Sequence, residues 1–122
     1  MNGKIKSFTD LQAWKIGHKL VLLIYKTTKD FPKEEMYGLI SQMRRAVLSI
    51  TSNIAEGFSR KTSKEKSQFY TIALGSLTEL QNQLVVCRDI KYINQTEFMN
   101  IANTTIEVKK LIHGMLKYSR LH

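Results

Sequence analysis

Between Ser49 and Phe69 the chain reads SITSNIAEGFSRKTSKEKSQF, and its polar residues are the first that could do chemistry. At about 100° per residue, Gln42, Arg45, Ser49, Ser52, Asn53 and Glu56 fall in one helical arc. Further along, Ser76 and Gln83 interrupt an apolar arc and Glu79 flanks it. Two carboxylates, Glu56 and Glu79, could divide acid and base work if their surroundings separated their pKa values, with Arg45 and Asn53 holding them. The same residues could instead form a hydrogen-bonded network between helices, Arg45 neutralising a carboxylate and Asn53 satisfying its neighbours. A third reading is a subunit contact. Leu48 and Ala55 fall on the outer side of the same helix, and Gly75-Ser76 lets another backbone approach. No histidine stands near either glutamate and no glycine-rich phosphate loop is present, so the sequence favours the structural readings and predicts a protein that is not an enzyme.

Metal chemistry has little to work with. A carboxylate-bridged dimetal bundle needs Glu-x-x-His pairs on two helices, and none occurs. His18, His113 and His122 lack ligand spacing, and the single cysteine, Cys87, excludes a thiolate zinc site and an intramolecular disulfide. No metal and no cofactor are expected, and cysteine usage suits a reducing compartment. The longest apolar run, Leu20 to Tyr25, is six residues, so no membrane partner is expected and a cytoplasmic protein is the plain reading.

Positive charge is the other chemical signal. Nineteen Lys and Arg against ten Asp and Glu give a formal charge of +9, which suits a polyanionic partner such as RNA or DNA. Lys15, Lys19 and Lys26 share one side of a first helix; Arg60, Lys61, Lys64 and Lys66 crowd one corner; Lys109, Lys110, Lys117 and Arg120 gather near the C-terminus. Each group senses phosphate as charge, without sequence preference. No zinc finger or RNA-recognition signature accompanies them, and Trp14, Tyr25, Phe31 and Phe69 follow core periodicity rather than forming a stacking platform. The alternative is a protein–protein interaction scaffold whose charge is incidental.

The elements that must position these groups are helical. One proline and six glycines leave few breaks, and 43% hydrophobic with 24% charged residues is a globular balance. A capping box at Ser7-Phe8-Thr9-Asp10 opens a helix over about 8–30 that carries Leu11, Trp14, Val21, Ile24 and Tyr25, with Gly17 and His18 on the same side. Phe31-Pro32 ends it. A second helix over 39–56 buries Leu39, Met43, Ala46, Val47, Ile50 and Ile54 and ends on Gly57 as a left-handed cap. Thr62-Ser63-Lys64-Glu65 caps a third over 63–91, with Phe69, Ile72, Ala73, Leu77, Leu80, Leu84 and Cys87 inward. Asn94 or Thr96 starts a fourth over 96–119, with Phe98, Ile101, Val108, Leu111, Ile112 and Met115 on its apolar side. Short connections between such helices predict a single all-α domain over 1–122, an antiparallel up-down-up-down four-helix bundle.

The order SFTDLQAWKIGHKLVLLIYKTTKDFP, YGLISQMRRAVLSITSNIAEGFSR, FYTIALGSLTELQNQL and IKYINQTEF resembles the proteins encoded in intervening sequences of bacterial 23S ribosomal RNA genes. SNIAEG followed by ALGSLTEL is the specific part. The resemblance implies a four-helix bundle that assembles as a homopentamer. The fold is also similar to the accessory protein of diversity-generating retroelements, a basic pentameric barrel that binds a reverse transcriptase and nucleic acid. Arg45, Ser49, Asn53, Glu56, Gly57, Ser76 and Glu79 match the polar motifs, for which the resemblance implies no catalytic role. Val47-Leu48 and Thr51 depart from it, the latter replacing a frequent proline, which predicts a straighter second helix.

Overall fold

The computed structural model describes residues 4–122. Its four α-helices are α1 (Gln12–Thr28), α2 (Ser41–Ser59), α3 (Ser63–Asp89) and α4 (Gln95–Leu121), and among the described residues there is no strand. Contacts at both ends of each pair fix the directions. Gly17 meets Thr51 while Thr28 bonds Arg44, so α1 and α2 are antiparallel. Gly57 meets Tyr70 while Met43 touches Cys87, which reverses α3 against α2. On α3 and α4, Arg88 lies over the Phe98 ring near their connection while Gln81 Nε2 donates to Thr105 Oγ1 further along, so α4 runs antiparallel to α3. The protein is an all-α bundle of the kind its periodicity predicts.

Local chemistry sets the helix ends. The Ser7 capping box forms, but it closes a single 3₁₀ turn, Phe8–Asp10; extended Leu11 separates that turn from α1. Asp10 accepts from the backbone N–H groups of Lys6 and Ser7, and these bonds hold its carboxyl below the usual range. Thr62 accepts from Glu65 N at 3.1 Å to open α3, and Asn94, not Thr96, caps α4 by accepting from Glu97 N at 2.8 Å. Ahead of α2 the chain forms a wide turn over Met36–Ile40, with Gly38 at φ −116° and ψ −110°. α2 then runs unbroken past Thr51, whose hydroxyl donates to the Leu48 carbonyl at 3.2 Å.

Two expectations fail here for packing reasons. Gly57 is not a left-handed cap: α2 continues to Ser59, and the described residue with positive φ is Lys91, at 66°. Gly57 is instead a point of close approach, where a Cβ would stand 2.6 Å from Tyr70 Cε1. The inward arc of α3 holds five of its seven predicted residues, Ala73, Leu77, Leu80, Leu84 and Cys87, but Tyr70 joins them while Phe69 is half-buried and Ile72 is 52% exposed. On α1, Gly17, Val21 and Ile24 are buried as predicted and Ala13, Leu20 and Thr28 join them, whereas His18 lies outside, stacked on Trp14 at 4.7 Å between centroids.

The core runs the length of the bundle, from Leu116 and Tyr70 at one end to Phe31 and Ile93 at the other. Cys87 sits inside it, with its sulfur 3.5 Å from that of Met43, and burial pushes its thiol up to about 11. No helix among the described residues is long and apolar enough to cross a membrane.

Candidate polar network and basic end

The α2–α3 seam gathers most of the polar stripe. Antiparallel packing sets Ser49 opposite Ser76, and their hydroxyls lie 2.7 Å apart. Asn53 Nδ2 donates to the Ser49 carbonyl at 2.8 Å and to its hydroxyl at 3.1 Å, which fixes the Asn rotamer along α2. Arg45 forms an ion pair with Glu79, and Gln42 Oε1 accepts from the same guanidinium at 3.1 and 3.2 Å. Gln83 is buried; its Nε2 reaches Glu79 at 3.5 Å, while its Oε1 has no partner among the described residues. The Arg45 and Glu79 side chains remain 55% and 38% exposed, so solvent screening keeps that ion pair at about 0–1 kcal/mol. Leu48, Ile72 and Val86 stand exposed on the same two helices.

Glu56 does not join this cluster. It pairs with Arg60 one turn on, at 2.6 Å, three turns or roughly 16 Å along α2 from Arg45. The two carboxylates that could have shared acid and base work are each held by a different arginine, far apart along the seam. Ser52 is exposed on the same flank.

The basic residues divide between structural and open positions. Lys66 Nζ donates to the Phe58 carbonyl at 2.8 Å and to that of Gly57 at 3.5 Å, so it caps the last turn of α2 while lying over the Phe58 ring. Arg60 packs its guanidinium over Phe69 at 4.7 Å besides pairing with Glu56. Lys61 and Lys64 are exposed and form no ion pair or hydrogen bond among the described residues. Lys15, Lys19 and Lys26 are exposed and spread along α1: Lys15 stands in its first turn near Asp10, whereas Lys26 lines a recess with Asp30 and Glu97 at the far end. Sequence spacing grouped these three by helix face and could not register their spread along the axis.

Folding brings together what the sequence kept apart. An up-down-up-down bundle places the segment before α1, the α2–α3 corner and the end of α4 at one end. Lys4 and Lys6, the Arg60–Lys66 corner, and Lys117 with Arg120 therefore share that end, and residues 108–122 contain no acid. At the other end Asp30, Glu34, Glu35, Asp89 and Glu97 are balanced by Lys26, Lys29, Lys33, Arg88 and Lys91. Also at the basic end is a recess of about 420 Å³ lined in part by Phe58, Tyr70, Tyr118, Lys66 and Ser119. Sequence periodicity missed it because its walls come from four separate segments.

At the end opposite the basic one, Tyr92 donates its hydroxyl to Glu35 at 2.9 Å, which raises the phenol's pKa. Arg44 lies over the Tyr25 ring and donates to Thr28 Oγ1 at 3.0 Å, tying α2 to the end of α1.

Comparison with known proteins agrees with this architecture. A crystal structure of a protein of unknown function from the S23 ribosomal protein family of Bacteroides thetaiotaomicron superposes with a TM-score of 0.80. The two are 22% identical, over 86% of this chain and 95% of that one, so the likeness is one of fold. No curated protein matches the chain. The family model described as 23S rRNA-intervening sequence protein matches residues 9–114, spanning α1 to most of α4. The chain belongs to the 23S rRNA-intervening sequence protein family.

Proposed function

We propose that this protein is a non-enzymatic binding module that holds nucleic acid, or a partner carrying it, against its basic end. The observation that carries the reading is the uneven charge of the bundle: lysines and arginines from three separate segments meet at one end and outnumber Asp10, Glu56 and Glu65 there, whereas bases and acids balance at the other. Lys61 and Lys64 have their ammonium groups open to a polyanion. Such binding releases counterions, so affinity falls with salt by a log–log slope of about 0.7 to 0.9 per phosphate contact.

The module works as a homo-oligomer, a pentamer by resemblance, with the α2–α3 seam as the subunit contact. Exposed Leu48 and Ile72 support that placement, since a second chain would cover them. Several copies would multiply weak phosphate contacts.

Anisotropy of labelled RNA and DNA at about 50 and about 200 mM salt tests the binding reading. Replacing Lys61, Lys64 and Lys117 by Ser is expected to lower the salt slope by about 2 and leave the melting temperature nearly unchanged. Absence of binding at low salt overturns the reading. Light scattering is expected to give close to five times the 14.1 kDa chain mass. A monomer at micromolar concentration rejects the assembly. Arg60 and Lys66 are left in place because both are also tied into the fold.

A further inference from the structure

The basic end has an apolar recess at its surface, and a charge-only phosphate site has no use for one. The recess is lined in part by the rings of Phe58, Tyr70 and Tyr118 and by the apolar Leu11 and Met115. Tyr118 is 63% exposed and stacks on His122, with ring centroids 3.9 Å apart and planes 11° from parallel. Tyr70 is 4% exposed, and burial raises its phenol pKa, so it reaches the recess neutral with its hydroxyl protonated. Ser119 adds a second hydroxyl, and Lys66 brings a cation whose position is fixed by two α2 carbonyls.

A ligand that fits must be flat and apolar on its faces, polar at its edge, and attached to negative charge. The recess lies beside the last core layer, Tyr70 and Leu116, where the end of α4 faces the α2–α3 corner.

We infer that this recess receives an unpaired nucleobase, so that the basic end selects single-stranded nucleic acid over duplex. This rests on the basic-end reading above and adds to it. Phosphates on either side of the seated base meet Lys66 in the recess wall and Lys117 and Arg120 beside Tyr118 and Ser119 on α4, while the base stacks on an aromatic wall and meets a hydroxyl at its edge. A base within a duplex already has both faces stacked and its edge paired, and so cannot enter without unpairing. Charge complementarity selects nucleic acid over an apolar peptide as the occupant. An apolar peptide would gain nothing from the excess of lysine and arginine at this end.

The test uses the full chain and three labelled probes of about twelve nucleotides, within the range of single-strand site sizes. These are oligothymidylate with an oligouridylate counterpart, a duplex of the same length, and an abasic strand that keeps the phosphates. Either single strand is expected to bind about tenfold tighter than the duplex or the abasic strand at equal salt. Tyr118→Ala is expected to lower single-strand affinity about tenfold and leave duplex affinity and the salt slope unchanged; Tyr118→Phe keeps the ring and restores binding. Phe58→Ala, read beside its melting curve, checks a second wall. Equal, salt-dependent binding of all probes overturns the base pocket while the basic-end reading stands. No binding of any probe overturns both. A change of oligomeric mass in Tyr118→Ala, with single-strand affinity intact, makes the recess a protein contact and overturns the proposal.

Discussion

Gly57 has a function that its sequence context disguised. It stands near the end of a polar motif, where glycine usually supplies a left-handed cap, yet α2 runs on past it. What excludes a side chain is Tyr70, whose ring comes within 2.6 Å of where a Cβ would be, with Phe69 Cβ at 3.1 Å. Gly57→Ala is expected to cost about 1–3 kcal/mol through overpacking, read by urea denaturation. Gly114→Ala, with nothing within 4 Å of the added carbon, is the control and is expected to stabilise by about 0.5–1 kcal/mol. Similar reasoning separates the lysines. Lys61 and Lys64 are exposed charges, whereas Lys66 holds two α2 carbonyls, a distinction their spacing could not reveal.

Elements came out of the sequence where local chemistry decides them. Thr62 and Asn94 cap α3 and α4 as their spacing to Glu65 and Glu97 requires. They were less legible where a turn carries an unfavourable residue. α3 ends in a Schellman arrangement, with Tyr92 N bonded to the Cys87 carbonyl at 2.9 Å and Lys91 N to that of Arg88 at 3.1 Å. Lys91 takes the left-handed position at φ 66°, where glycine is the usual residue. Lys91→Gly is therefore expected to raise stability by about 1 kcal/mol in thermal or urea unfolding. The register of the polar stripe belongs to this scale too. Residues on one face of α2 were predictable, but Glu56 turns to Arg60 and Arg45 to Glu79 because the antiparallel seam fixes which partner each meets.

Across the whole molecule, burial sets a response to pH. Burial pushes Cys87 up to about 11 from 9.0 and raises Tyr70 above 10.0; the hydrogen bond to Glu35 raises Tyr92. All three are raised in the folded state, so unfolding releases protons at high pH. Their contribution is fully present below pH 9 and is lost as pH rises through the folded values, that of Cys87 near 11. Urea unfolding at about pH 8 and about pH 11 is expected to differ by on the order of 2 kcal/mol from Cys87, a difference that Cys87→Ala removes. By itself the sequence determined the helix count, the Thr62 cap, most of each apolar face and the excess of positive charge, because these follow from local hydrogen bonding, periodicity and composition. Tertiary structure decided the burial of Tyr70 against Gly57, the separation of Glu56 from Glu79, and the meeting of three basic segments around one aromatic recess. Those depend on how helices distant in sequence pack against one another, and no spacing along the chain encodes that distance.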